Sequence, residues 1–421
     1  MKKSLFALAA LGAFAGAASA QSSVTVYGVV DVGYLNQKAT GAASNAAGTV
    51  SPSGQQNSSL FGNSMEQTSR LGFKGTEDLG GGMIAFFTLE TDMQPSNTTM
   101  STWQTRQGFG GVGKAGVGQF AFGTQYTPMF NQISATDVGN TNNMPGSAVY
   151  PTVNTGNSAK ATGYNDASGV GGQSSGVTVR TQSTLSAQTA TFAGFKVAAN
   201  YTLRNDTVTT NYQGSTANAK QNIVPITNNY SGWGLSADYT WQKLYIGLAY
   251  QAYKSNNEGQ GPATTTSNNS ASTLASPTPA AWTSAAGGSN TQDNQYYGAA
   301  TYDFGILKGY LQYGNRKVTD VINTGYYAKR TLQQIGVRSF MTPTIEGWAN
   351  VGNGRYTSFG AGAPSAGFTA YQVGLNYYLS KRTNLYAIFG SSQTSSVSAV
   401  AGTSGSGASV NNYAVGVRHT F

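Results

Sequence analysis

The chain has 421 residues but no cysteine, a single histidine and few charges, with Asp, Glu, Lys and Arg making up 9%. An ordinary soluble domain carries about 25% charged residues, so the composition argues against a globule covered in salt-bridging side chains. Lack of cysteine rules out a disulfide, a device open to exported proteins. The lone histidine, His419, stands two residues from the end of the chain. A Ser-His-Asp triad or a histidine-based metal site would need it turned inward beside partners. Its position in the alternation places it outward, so catalysis and a metal centre are not expected, and no cofactor is implied. Long apolar runs are missing after the first twenty residues, which leaves no helix able to cross a bilayer.

Those first twenty residues run Met1-Lys2-Lys3, an apolar stretch, then Ala18-Ser19-Ala20. They read as a secretory signal cleaved before Gln21, leaving 21–421 as one domain. The formal net charge is +9; losing Lys2 and Lys3 with residues 1–20 leaves 9 − 2 = +7. A basic balance raises nucleic-acid binding. Here, however, Lys and Arg are spaced singly and never gather into a stripe or tail, so no nucleic-acid partner is expected.

What is plentiful is Gly (55) and Tyr (25), with polarity carried by Ser, Thr, Asn and Gln. The final segment alternates strictly: Tyr413, Val415, Val417, His419 and Phe421 share one face, and Ala414, Gly416, Arg418 and Thr420 the other. A strand sends successive side chains to opposite faces, so this strand has one greasy and one polar wall. Period-2 reading between turn signals gives about sixteen such strands: 24–36, 68–77, 83–94, 103–112, 117–126, 177–189, 195–205, 230–241, 243–255, 294–304, 306–318, 331–341, 344–357, 368–380, 385–394 and 410–421. Tight turns at 78–82, 113–116, 242–243, 342–343 and 381–384 contrast with long polar stretches at 37–67, 127–176, 206–229 and 256–293. An even strand count, short turns at one rim and long loops at the other predict an all-β fold. It is a closed antiparallel transmembrane β-barrel with short periplasmic turns and long extracellular loops. The competing reading is a soluble β-sandwich, but no helix is left to cover so many apolar rows.

Lipid should meet Leu244, Ile246, Leu248 and Tyr250, and likewise Phe195, Val197, Ala199, Tyr201 and Leu203. Tyr371, Val373, Leu375, Tyr377 and Leu379 repeat the pattern, and Trp233, Tyr239 and Trp241 suit an interfacial girdle. Gly108-Phe109-Gly110-Gly111-Val112-Gly113 matches G-x-G-x-x-G in letters only, because it sits in a strand pattern with no helix behind it.

A charge facing lipid at mid-bilayer costs about 2–4 kcal/mol, so the strand charges belong to the lumen. Parity turns Arg70, Lys74, Glu90 and Asp92 inward, with Arg106, Arg180, Lys196, Arg204, Lys308, Arg316, Arg338 and Arg418; Asp31, Asp238 and Asp303 are the other inward acids. Arg70, Arg106 and Arg180 lie on three strands of the first half, where the stretch 127–176 begins and ends. If that third loop folds into the lumen it narrows the bore against those arginines. Basic rings favour anions, with Asp137 and Asp166 of the loop as candidates for the opposite wall.

Several stretches resemble the trimeric general porins of Gram-negative outer membranes, in particular the beta-proteobacterial, anion-preferring branch. They are Val24-Thr-Val-Tyr-Gly-Val-Val-Asp31, Ser69-Arg-Leu-Gly-Phe-Lys-Gly-Thr-Glu-Asp-Leu-Gly-Gly-Gly82, Phe87-Thr-Leu-Glu90, Arg106-Gln107, Tyr377-Tyr-Leu-Ser-Lys-Arg-Thr383 and Val415-Gly-Val-Arg-His-Thr-Phe421. The resemblance implies a sixteen-stranded barrel, a homotrimer, and an inward-folded third loop forming the eyelet. It implies that Arg70, Arg106 and Arg180 form the basic side of that eyelet and Glu90 a nearby carboxylate. It further implies that Phe421 is the signal read by the outer-membrane assembly machinery. Outer-membrane lipid, lipopolysaccharide, and small hydrophilic solutes and ions are the remaining partners. One departure stands at the root of the loop, where such porins commonly carry arginine and this chain has Thr124 in Gly123-Thr-Gln-Tyr-Thr-Pro128. The expected activity is passive diffusion through a water-filled channel that prefers anions. Two other readings stay open: a substrate-specific porin, with Tyr245, Tyr253 and Tyr310 inward, and an adhesin or structural barrel with a closed lumen.

Overall fold

The computed structural model describes residues 23–44, 50–98, 105–154, 159–161, 178–212, 222–258, 288–321, 327–358, 365–395 and 408–421. Residues 1–20, read above as a signal, lie outside these. The chain opens with β1 (Ser23–Ser44), β2 (Val50–Asn63), β3 (Arg70–Gly80), β4 (Met83–Asp92), β5 (Thr105–Lys114) and β6 (Gly118–Tyr126). A helix, α1 (Pro128–Thr136), and a small hairpin of β7 (Thr152–Asn154) and β8 (Ala159–Ala161) follow. Then come β9 (Arg180–Thr189), β10 (Phe195–Tyr212), β11 (Asn222–Trp241), β12 (Leu244–Glu258), β13 (Gly288–Asp303) and β14 (Lys308–Asp320). The last strands are β15 (Tyr327–Thr342), β16 (Ile345–Ser358), β17 (Ser365–Tyr378), β18 (Thr383–Thr394) and β19 (Ala408–Thr420).

Each strand pairs antiparallel with its neighbour, and β19 pairs with β1 from Val29↔Thr420 to Thr40↔Ser409, closing the sheet into a barrel. Sixteen described strands form the closed wall: β1, β3 to β6, and β9 to β19. The remaining long strand, β2, pairs with the outer half of β1. This corrects the reading of 37–67 as a loop. The apolar row that betrays the other strands is missing there, because polar residues face polar residues, as in Lys38↔Asn57 and Gln37↔Ser58.

The alternation is that of a protein turned inside out. In β17, Ala370, Gln372, Gly374 and Asn376 are enclosed while Tyr371, Val373, Leu375 and Tyr377 are exposed. The lipid-facing rows expected in β10 and β12 are present too, with Val197, Tyr201, Leu203, Ile246, Leu248 and Tyr250 exposed. At the rim of short turns, Gly80, Gly81 and Gly82 all take positive φ (82°, 61° and 77°). Only glycine adopts three such values in succession without strain.

The third loop enters the barrel. Its helix α1 starts where Thr127 caps it, the Phe130 amide donating to Thr127 Oγ1 at 3.0 Å, with Pro128 in the first turn. Beyond α1 the chain runs enclosed from Thr136 to Val149, apart from the reversal at Asn140-Thr141. Two apolar clusters form between the loop and the inner wall. Met129, Ile133, Ala148 and Val149 meet Tyr297, Leu332, Tyr356 and Phe368. Val138 and Met144, with Met65 from the β2–β3 junction, meet Leu35, Trp348, Tyr386 and Ile388. A fully buried side chain of this kind contributes about 1.5–3 kcal/mol, so the loop is fixed to the wall.

Candidate functional site: the arginine wall and the inserted loop

Cross-strand partners share a face, so register alone gathers the charges. Arg70 pairs with Asp92, Gly72 with both Tyr27 and Glu90, and Tyr126 with Arg180. A bulge between Glu90 and Thr91, opposite Thr105–Gln107, breaks the alternation and allows Arg106 and Gln107 to lie on the same side. Arg106 Nε donates to Glu90 Oε1 at 2.7 Å and its Nη2 to the Tyr126 hydroxyl at 3.0 Å. Arg70 Nη1 lies 3.9 Å from the same carboxylate, and Arg106 Nη1 lies 3.8 Å from Asp92. Tyr27 donates to the other Glu90 oxygen at 3.1 Å. Arg180 stands over the Tyr126 ring, 6.0 Å from its centroid, and its Nε has no hydrogen-bond partner. Arg70 and Arg106 contact the two carboxylates and Arg180 stands beside them, so three guanidinium groups face two carboxylates with one positive charge in excess.

The loop is tethered at successive points around the opposite wall. Gln132 Nε2 donates to Asp238, and the Tyr245 hydroxyl donates to Gln132. Thr136 meets the Tyr297 hydroxyl, and Gln312 donates to the Thr136 carbonyl. Arg330 donates to the Ala148 carbonyl, Arg338 to that of Val138, and Gln372 to those of Met144 and Pro145. At the far end Asn143 Nδ2 donates to the Ser64 carbonyl and to Thr68 Oγ1. The loop's root, where arginine was missing, is held instead by Thr127, whose hydroxyl donates to the Thr178 carbonyl, and by Gln125, which donates to the Ala121 and Thr184 carbonyls.

Among the residues singled out from sequence, Arg70, Arg106, Arg180, Glu90 and Asp92 come together in this cluster. Lys74 lies one strand-turn away on the same face, its Nζ 5.5 Å from the centre of the Tyr27 ring. Arg338 is placed elsewhere, clamped to Glu346 behind the loop. Asp137 differs from expectation. It is 2% exposed, and its carboxylate accepts from the Thr141 amide at 2.7 Å and from Ser147 Oγ at 3.2 Å. Burial pushes this carboxyl above its usual range, with the Thr141 bond opposing. It closes a tight chain reversal and does not face the arginines. Asp166 lies outside the described residues. Among the described residues, the exposed positions of the loop, Asn131, Ser134, Ala135 and Asn140, are uncharged.

His419 is exposed on the outward row, its Nδ1 2.9 Å from Thr383 Oγ1. Phe421 exchanges backbone hydrogen bonds with Gly28 at 3.1 and 3.2 Å, sealing the β1–β19 seam. Tyr245 and Tyr310 both pack against the loop instead of forming a track, and Tyr253 stacks on Tyr230. Tyr27, Tyr126, Glu346 and Trp348 escaped notice. Parity turns all four inward; the three aromatics carry no charge signal to single them out, whereas Glu346 does carry one and was passed over.

The Gram-negative porin family model matches residues 7–421. Outer membrane porin protein 32 of Delftia acidovorans is 50% identical over 95 residues, 22% of this chain and 23% of that protein. An outer membrane porin protein of Bordetella pertussis is 28% identical over 422 aligned positions, covering 92% of this chain and 93% of that one. Among solved structures, an anion-selective porin from Comamonas acidovorans aligns with a TM-score of 0.62 at 21% identity, covering 95% of this chain and 100% of the other. OmpT of Vibrio cholerae in its trimer form aligns at 0.57 with 13% identity, covering 95% and 99%. An end-to-end family match, a closed sixteen-stranded wall and a loop folded into its bore agree: this chain belongs to the Gram-negative porin family and is an outer-membrane general porin, a channel through which small hydrophilic solutes diffuse passively.

Proposed function

We propose that the channel prefers anions and that Arg70, Arg106 and Arg180 set the preference at the narrow part of the bore, with Glu90 tuning it. The observation that carries this reading is an imbalance. The arginine wall holds three cations against two carboxylates, while Asp137 of the facing loop is enclosed and the loop's described exposed residues are neutral. With no exposed acid among the described residues of the facing loop, the excess of arginine on the wall favours anions in the gap. The structural neighbour from Comamonas, described as anion-selective, supports the reading. The trimer form of the Vibrio protein supports a homotrimer. Residues 1–20 act as the secretory signal and Phe421 as the mark read by the assembly machinery, with the apolar band contacting outer-membrane lipid and lipopolysaccharide.

The test is a reversal potential in a planar bilayer across a KCl gradient. The wild type should reverse with the sign of chloride preference. Replacing the three arginines together with glutamine should move the potential toward cations. An unchanged potential would remove all three from the selectivity assignment.

A further inference from the structure

Below the arginine cluster, toward the rim of short turns, a cavity of about 150 Å3 lies between α1 and the wall of β5, β6, β9 and β10. Five primary amides line it, Gln125 and four others: Gln107, Gln119 and Gln188 from the strands, and Asn131 from α1. Gln119 and Gln188 stand opposite each other in the β6–β9 register. None of the four has a side-chain hydrogen bond to a described residue. Their neighbour Gln125, by contrast, is saturated by the Ala121 and Thr184 carbonyls and by Ser186. Phe109 and Tyr126 add aromatic surface to the same cavity, and no charged side chain lines it.

A primary amide offers two donors and an acceptor, and a hydroxyl offers one donor and accepts as well. Several amides with no side-chain partner among the described residues, set around a small space with ring faces for C–H surface, match a compact molecule covered in hydroxyls. A simple ion finds no counter-charge there. We propose that this cavity is a binding subsite for an uncharged polyhydroxylated solute of monosaccharide size, met after the arginine wall on the way through the bore. The proposal rests on the chain being an open channel, and adds to it a saturable site that free diffusion does not require.

The experiment uses single channels of the full chain in KCl, titrated with D-glucose, with a polyethylene glycol of equal hydrodynamic radius as the viscosity control. Glucose should reduce the current to a plateau, whereas the glycol should reduce it linearly. Gln119→Leu with Gln188→Leu should raise the half-blocking concentration about tenfold, the loss of one or two neutral hydrogen bonds, with the salt conductance unchanged. If that pair prevents barrel formation, Gln107→Leu on another strand carries the same expectation. A glucose response as linear as the glycol's, with salt conductance intact, overturns the subsite and leaves the channel standing. Saturation that persists unaltered in the variants also overturns it. A wild type without any conductance would bring down both.

Discussion

Arg338 ties the barrel wall to the inserted loop: its Nη1 donates to the Val138 carbonyl at 2.8 Å while Nε and Nη2 hold the two oxygens of Glu346 at 2.6 and 3.1 Å. Both side chains are enclosed, at 11% and 6% exposure. Glu346 also accepts from Asn376 and Tyr378.

Arg338→Leu leaves that carboxylate without a counter-charge and the loop without this tether. A cost of about 1–3 kcal/mol is expected, read as a lower thermal midpoint in detergent together with larger open-channel current noise. Arg338→Lys should recover less than half of the loss, since an ammonium cannot reproduce the planar fork. Wild-type noise in the leucine variant would mean that the loop is held without this residue.

Acidity should act through Asp137. Its carboxyl is raised by burial, so protonation favours the docked loop. That contribution is complete below the unfolded value of about 3.9 and is lost as pH rises through the higher folded value. Loop docking should therefore be firmer in mild acid, with quieter channels. Asp137→Asn keeps the size and cannot ionise. Its channel noise should be flat across the same pH range, and a persistent pH response in it would assign the effect to another group.

The seam gives a folding test. A Cβ on Gly28 would overlap the ring of Phe421 and approach the Arg70 carbonyl at 2.6 Å. The ring can turn away but the carbonyl belongs to the paired strand β3. Gly28→Val should cut the yield of heat-modifiable, folded barrel on refolding into detergent several-fold. Phe421→Ala in the same background should restore little, because the backbone clash remains. Full recovery by that second change would place the whole obstruction in the ring.

Lipid made the wall legible. Where a face must meet hydrocarbon, as in β12, β17 and β19, the apolar row is plain in the letters and the strand ends fall close to the expected ones. Where polar residues face polar residues, as along most of β2, the period is lost. The charges of the site were legible as a set because lumenal placement is the cheap solution for each. Their geometry was not. The approach of Arg106 to Glu90 goes with a bulge, and the enclosure of Asp137 depends on a reversal in which Asn140 and Thr141 take φ of 54° and 53°. The helix α1 had a readable start in Thr127-Pro128, a cap followed by proline in the first turn. A long polar stretch around it masked the signal.

The tethers of the inserted loop span great distances along the chain: Ala148 to Gln334 is 186 residues, Val138 to Arg338 is 200, and Met144 to Gln372 is 228. During export the loop emerges long before the surfaces that will seat it. Its other anchor, the β2–β3 junction, is itself stitched to the final strands through Asn384 and Arg418 on Glu66. The aperture is thus built from residues drawn from both ends of the chain. The bore and its narrowing loop therefore share the same final strands, so the pairing of β19 with β1 completes both together.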